Sequence, residues 1–433
     1  MERSKSTMMS RLSAAVQPKD GHVNKRIAAR SPNNGKLDKQ AVLLLAVQGL
    51  FGVANALSGT FVPVYLWKAS QSFVLIGWFT LFQYVISGLT FWLAGKWVKQ
   101  QGKMNSLRLG VVVSGLFYLL VLWLGPLSVQ YAIPLGMVNG MASGFFWLAF
   151  NVVYFEITEP DNRDRFNGWA GLLGSGAGIV APWISGILIT TFAGEQGYRI
   201  IFTISLIIFG LAAVISFFLH KREASGKYEW FHGIRQLRNR KLPWRHVFIS
   251  LMAQGMREGV FMFLIGLMVF VVTQNERKLG SFVLWTSLVG LVSFWLVGRF
   301  MKMKNRRWWM LAGVCIITLV ILPLFIKFNY MTLLWFGIGT ALFLPLYSIP
   351  MTSAVFDLIG QSEQNARQRE EFIVLRELGL VAGRLVGIII FMLVTAQTTS
   401  MQAMTWLLLA VGIMPVAGWW FMRRYVAVRT AGD

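Results

Sequence analysis

Twelve stretches of about 20 mainly apolar residues recur along the 433-residue chain, and that length is what a helix needs to cross roughly 30 Å of hydrocarbon. They lie near residues 41–67, 73–95, 106–125, 130–155, 166–191, 198–219, 246–273, 280–298, 308–327, 331–355, 372–395 and 402–422. Hydrocarbon offers no partner to a backbone N–H or C=O, so only helices and closed barrels span it. Barrel strands alternate apolar and polar residues in segments of about ten; these runs are continuously apolar, which selects helices. The expected fold is an all-α polytopic membrane protein. Composition agrees: 14% of residues are charged, against about 25% in soluble domains. Cys315 is the only cysteine, so no disulfide framework or Cys/His metal spacing arises. No short apolar segment with a cleavage site precedes residue 41, and the first helix is expected to serve as the insertion signal.

The net charge of +23 raises nucleic acid as a partner until the basic residues are sorted by loop. With the N-terminus inside, that side carries 33 of the 41 Lys and Arg. The other side holds Lys68, Arg199, Arg277, Lys278 and Lys327, while Arg257, Arg376 and Arg384 fall inside apolar runs. This is the positive-inside pattern. It predicts both termini in the cytoplasm, a plasma-membrane location and anionic headgroups as the partners of the charge; no aromatic-interleaved soluble module supports nucleic acid. The segment Lys227–His246 mixes Trp230, Phe231, Ile234, Leu237 and Trp244 with Arg235, Arg238, Arg240, Lys241 and Arg245, and reads as an amphipathic interfacial helix, or equally as a linker between halves.

The chain repeats itself. Phe91-Trp92-Leu93-Ala94-Gly95-Lys96-Trp97-Val98-Lys99 aligns with Phe294-Trp295-Leu296-Val297-Gly298-Arg299-Phe300-Met301-Lys302 at an offset of 203, with five of nine positions identical. A Gln-Gly pair recurs at Gln48-Gly49 and Gln254-Gly255, and Phe155-Glu156 matches Phe356-Asp357. Ordered matches at nearly constant offset indicate parallel repeats, hence two pseudo-symmetric six-helix bundles. The expected division is a basic tail (1–39), a first bundle (40–219), a basic loop (220–245), a second bundle (246–424) and a short tail (425–433).

Over residues 40–424 the sequence resembles the major facilitator superfamily. The family's link after the second helix is matched by Gly95, Lys99, Gly102 and Lys103, with Lys99 where the family has Asp; Gly298, Lys302 and Arg306 depart in parallel. Gly197-Tyr198-Arg199 before Phe202, and Gly168, Ala177, Ala181-Pro182 and Ser185-Gly186 in the fifth helix, resemble two further motifs. The fourth-helix Arg of many proton-coupled members is absent, Gly136 preceding Asn139-Gly140. The resemblance implies a secondary transporter working by alternating access, its cavity lined by the first, fourth, seventh and tenth helices.

Gly95, Lys99, Gly102, Lys103, Gly298, Lys302, Arg306, Glu156 and Asp357 are the expected gating residues. If acid and base have exchanged places, Lys99 would pair with Asp357, Glu370 or Glu371, and Lys302 with Glu156, Glu159 or Asp164. Alternatively both lysines snorkel to headgroups. Deeper in the membrane, ionisable groups cost at least about 2.5 kcal/mol on insertion scales and usually face a cavity or a partner. At 1.5 Å per residue, Arg257, Glu258 and Arg384 lie roughly 16–18 Å from their helix starts. Gln254 and Glu258 share a face. Glu258 is thus the expected ion-coupling residue, with protons the candidate ion, and Arg257 or Arg384 its partner or the contact of an anionic substrate. A structural pair joining the seventh and eleventh helices is the other reading. Gln48, Asn55, Asn139, Trp147, Gln254, Arg257, Tyr347 and Arg384 are the expected substrate contacts. Gly379, Gly383 and Gly387 read as a packing stripe.

No HExxH or phosphate-loop motif occurs, so neither an enzyme nor a cofactor is expected. The expectation is a monomeric carrier of a small molecule, efflux favoured over uptake. A lipid flippase or scramblase, or a non-transporting receptor, remains the alternative on the same fold.

Overall fold

Asp38, Ser72, Asn275, Asn329 and Ser400 each accept a hydrogen bond from a backbone N–H three residues on, so short polar residues at the ends of apolar runs set where membrane helices begin. The computed structural model of the protein describes residues 37–426 apart from 158–159, 193–194, 221–225, 241, 302–304, 362–364 and 366–367. Among the described residues twelve helices are long and apolar enough to cross a membrane, and the first six are α1 (Lys39–Ser70), α2 (Phe73–Gln100), α3 (Lys103–Val129), α4 (Ala132–Tyr154), α5 (Gly168–Thr191) and α6 (Gln196–Phe217). The second set is α7 (Trp244–Thr273), α8 (Glu276–Phe300), α9 (Arg306–Ile326), α10 (Tyr330–Gly360), α11 (Arg369–Gln397) and α12 (Met401–Met422). An even number of spans puts the start of α1 and the end of α12 on one face, called here the tail face.

The two six-helix bundles show their kinship in the backbone. Gln71 and Gln274, separated by the same 203 residues as the Gly95 and Gly298 segments, are the two non-glycine residues with positive φ among those described (52° and 49°). They end α1 and α7. Non-glycine residues enter this left-handed region at a cost, so its recurrence at one repeat position marks an inherited turn. Trp67 and Phe270, also 203 apart, touch edge-on with ring centroids 6.0 Å apart, as residues flanking a two-fold axis between bundles would. Lys68 donates to Glu276 across the bundles at 2.8 Å on this opposite face, and the Tyr198 hydroxyl donates to the same carboxylate at 2.9 Å.

Between the bundles, the expected long amphipathic helix is short. The loop helix covers only His232–Arg238, and α7 has already begun at Trp244. Pro243, just before α7, sets its first turn. Phe231 and Ile234 are exposed as expected of an interfacial segment, but Tyr228 and Trp244 are buried in the protein: Trp244 stacks on Phe372 at 4.1 Å. Part of the segment is therefore docked onto the protein, Trp244 against Phe372 of α11 and Trp230 against Trp92 of α2, rather than offered to headgroups.

Candidate functional site

Glycines bring α7 and α11 into backbone contact. A Cβ on Gly383 would stand 1.9 Å from the Met252 carbonyl oxygen, one on Gly387 2.5 Å from that of Met256, and one on Gly255 2.1 Å from that of Leu380. Gly259 faces the Arg384 Cα at a built Cβ distance of 2.7 Å. The close approach is what allows side chains midway along each helix to meet: Arg384 donates from Nη2 to Glu258 Oε2 at 3.1 Å, and Gln254 donates to Glu258 Oε1 at 2.6 Å. Sequence reasoning left Arg257 and Arg384 both open as partners of Glu258; the structure brings Arg384 to it. The first bundle reaches the same point through Tyr84 of α2, whose hydroxyl donates to the Gly259 carbonyl at 3.2 Å and whose ring lies 5.8 Å from the Arg384 guanidinium carbon. Tyr84 was missed from sequence, because a mid-helix tyrosine carries no signal of which helix it will face.

The other expected contacts divide. Arg257 is buried beside Phe261, its guanidinium carbon 4.3 Å from the ring centroid. Tyr347 is buried on α10. In the first bundle, Gln48 keeps a buried Oε1 without a hydrogen-bond partner among the described residues, and Asn139 is half-buried. Asn55 donates to the Phe51 carbonyl of its own helix at 3.0 Å. Trp147 is 41% exposed, the least buried of the set, with its edge against Phe51 and Phe150.

At the tail face, Lys99 is 3% exposed, so it does not snorkel to headgroups. A single π-turn, Val98–Gly102, ends α2, and from it the Lys99 ammonium donates to both Glu371 oxygens at 2.8 Å and lies 3.6 Å from Glu370. Asp357, the third candidate partner, instead meets Arg306 at 3.2 Å within the second bundle. The inter-bundle loop completes the contact. The Glu229 N–H donates to Glu371 at 3.0 Å, Trp230 packs on Trp92 at 5.2 Å, and the Tyr228 hydroxyl oxygen would lie 2.6 Å from a Cβ on Gly95. Burial beside Glu371 and Glu370 holds the Tyr228 phenol well above its ordinary pKa, desolvation being the larger cause. Lys103 is buried as well, and Gly102 adopts extended backbone (φ 178°) between the π-turn and α3. Lys302, Glu159 and the side chains of Glu156 and Asp164 lie outside the described residues, while a Cβ on Gly298 would meet nothing within 4 Å.

Two six-helix bundles, an ion pair midway along α7 and α11 of the second, and a salt-bridged contact between the bundles at one face make up the architecture of a polytopic membrane transporter. The chain belongs to the Major Facilitator Superfamily, whose model matches residues 44–368. It is 39% identical over 360 residues to the uncharacterized protein YqgE of Bacillus subtilis (strain 168), covering 83% of this chain and 84% of that one. It is 40% identical over 167 residues to an uncharacterized protein in the sodM 3' region of Geobacillus stearothermophilus, covering 39% of this chain and 78% of that one. Among solved structures it matches a bacterial homologue of the iron transporter ferroportin, in the outward-facing state with a TM-score of 0.66, 14% identity and coverage of 90% and 100%. The inward-facing state matches with a TM-score of 0.65, 15% identity and coverage of 90% and 99%.

Proposed function

We propose that the protein is a secondary active transporter of the plasma membrane, with both termini cytoplasmic, that moves a small molecule by alternating access and couples the movement to protons at Glu258. The observation that carries this reading is the exposure of the mid-helix pair. The Glu258 side chain is 30% exposed and that of Arg384 19%, whereas Lys99 and Glu371 in the tail-face contact are 3% and 1% exposed. A purely structural pair gains from being sealed; one that exchanges protons must be reachable. Protonation of Glu258 would remove its attraction for Arg384 and release α11 from α7 beside the point where α2 of the other bundle makes contact through Tyr84. The aromatic edge presented by Trp147 beside Phe51 and Phe150 suits an amphipathic cargo, and efflux is the direction proposed. The iron named for the structural neighbours is not carried over, since identities of 14–15% speak for the fold alone.

The test is a proteoliposome carrying a pH gradient, with internal pH followed by a trapped dye while single solutes are added outside. Wild type should accumulate its solute only with the gradient, and Glu258→Gln should retain exchange while losing the response to it. Gradient-driven accumulation unchanged in Glu258→Gln would remove the coupling role. One observation favours a second reading, a lipid flippase or scramblase: toward the tail face a Cβ on Gly171 or Gly174 of α5 would meet nothing within 4 Å, and Trp169, Leu172, Phe294 and Trp295 on α5 and α8 are exposed. Labelled-lipid movement in the same vesicles without any gradient would support it.

A further inference from the structure

The mid-helix cluster does not balance its charge. Glu258 has its two oxygens engaged by Gln254 and Arg384, and Arg376 pairs with its neighbour Glu377. Arg257 is left over. It is 4% exposed, and its Nε and Nη2 are buried with no hydrogen-bond partner among the described residues; the face of Phe261 offsets only part of the lost hydration. Across from it, α10 presents hydroxyls in the same condition. Thr340 Oγ1 and the Tyr347 hydroxyl are buried and unpartnered, and Tyr347 is 1% exposed. The register of α7 against α10 is set by Phe261 on Phe336 at 5.9 Å and by Ser250 reaching Met351 Sδ at 3.6 Å. Arg257 lies between those two contacts, as Thr340 and Tyr347 do on α10, and its electrostatic neighbours are Glu258 first and Tyr347 second.

Glu258 is the nearest negative charge to Arg257, but its oxygens are held by Arg384 and Gln254, and a buried cation with no carboxylate of its own is destabilising in any interior and more so inside a membrane. Three unsatisfied donor groups of which one is a guanidinium make a site for an anion, because the planar fork matches a carboxylate or phosphate. We propose that Arg257, with Thr340 and Tyr347, forms the anion-recognition site of the transporter, and that the cargo is a small organic anion whose charge completes the balance. The proposal rests on the reading of the chain as a carrier and not on the proton role of Glu258.

The test uses the full purified chain in detergent, with benzoate as the anionic probe and benzamide as its neutral counterpart at matched ionic strength. A parallel arm compares phosphatidylglycerol with phosphatidylcholine, since a lipid phosphate has the same chemistry as a free anion. Benzoate should raise the wild-type unfolding midpoint where benzamide does not, and Arg257→Gln should weaken its apparent affinity about tenfold or more. Arg257→Lys should recover part of this, and Tyr347→Phe should weaken binding several-fold with the ligand-free midpoint unchanged. Glu258→Gln should leave the benzoate response in place, which separates this inference from the coupling reading. The ligand-free Arg257→Gln protein is expected to unfold at or above the wild-type midpoint, because a buried cation with unsatisfied donors and only a shared counter-charge has gone. A fall as large as that of Arg384→Gln, which breaks a pair, would make Arg257 structural and overturn the proposal. So would a benzoate response that survives Arg257→Gln, or the lack of any anion preference in both arms. A phosphatidylglycerol response lost in Arg257→Gln, without one to benzoate, supports the site and assigns its anion to a lipid.

Discussion

The two bundles meet along two lateral seams, and the seams are not alike. Where α2 meets α11, contact is continuous from one face to the other: a Cβ on Gly77 would stand 2.5 Å from Met392 Cγ, one on Gly88 2.9 Å from Val381 Cγ1, and the seam ends in the buried contact of Lys99 with Glu371. Where α5 meets α8, only the half away from the tail face is packed. Gly186 and Gly280 would each clash at 2.6 Å with a backbone oxygen of the facing helix, Gly178 is already 3.8 Å from Ser287, and Gly171, Gly174 and Gly176 face nothing within 4 Å. Both seams use glycine to let helices touch. What differs is the end: one is tied by charge and by the loop carrying Tyr228, while the described part of the other carries no such tie. In an alternating-access protein the tied seam is the one that must be undone for the bundles to separate at the tail face.

The largest effect should come from breaking the tie. Removing one partner of a buried ion pair typically costs about 3–5 kcal/mol, and Lys99→Glu goes further by setting a third carboxylate beside Glu370 and Glu371. The substitution should lower the unfolding midpoint in detergent and make cysteines at Gly88 and Val381 slower to crosslink, while the additional change Glu371→Lys should recover much of both. A Lys99→Glu protein with wild-type midpoint and crosslinking would show that the α2 and α11 seam holds without its charges.

A smaller effect separates the repeats directly. Gly95 and Gly298 occupy the same place in the repeated segment, yet a methyl group on Gly95 meets the Tyr228 hydroxyl at 2.6 Å and its ring at 2.8–3.0 Å whereas one on Gly298 meets nothing within 4 Å. Gly95→Ala should therefore cost about 1–3 kcal/mol by overpacking, relieved when Tyr228→Ala accompanies it. Gly298→Ala should be neutral or add stability of up to about 1 kcal/mol, because alanine favours an exposed helical position. Equal responses of the two variants in thermal unfolding would mean that the seams are equivalent.

This difference explains how far the sequence could be read. Apolar runs and capping residues are local, and Asp38, Ser72 and Asn275 start their helices where the polar residues fall. Depth is local too, since a helix is a ruler: counting residues from the helix starts put Glu258 and Arg384 at one level, and they meet. The offset of 203 was visible in Gly95 and Gly298, and the paired glutamine turns at Gln71 and Gln274 repeat it. Contacts between bundles are of another kind. Lys99 had three acids in reach by sequence, and the choice of Glu371 over Asp357 follows from the π-turn that ends α2 and from Arg306 occupying Asp357. Tyr84 and Tyr228 act through helices distant in sequence, so no spacing announces them. A repeat predicts that two halves are alike; only the packing between them shows where that likeness stops.

The smallest effect concerns the phenol of that loop, and its sign follows from its surroundings. Burial, with the Glu371 and Glu370 charges adding to it, raises the Tyr228 pKa above the unfolded value of 10.0. The folded protein therefore keeps this proton at a pH where the unfolded chain has begun to lose its own, and the unfolded state binds fewer protons there. Stability contributed by Tyr228 is fully present below pH 10 or so and declines as the pH rises beyond it. Thermal unfolding followed from pH 8 to 11 should show a steeper alkaline loss in wild type than in Tyr228→Phe, which keeps the ring against Gly95 and removes the ionisable group. The seam between α5 and α8 has no counterpart to Tyr228 among the described residues at Gly298, so the alkaline loss that distinguishes the two proteins should be accompanied by slower crosslinking at Gly88 and Val381. Parallel slopes for wild type and Tyr228→Phe would place the alkaline sensitivity elsewhere and leave the loop a packing element alone.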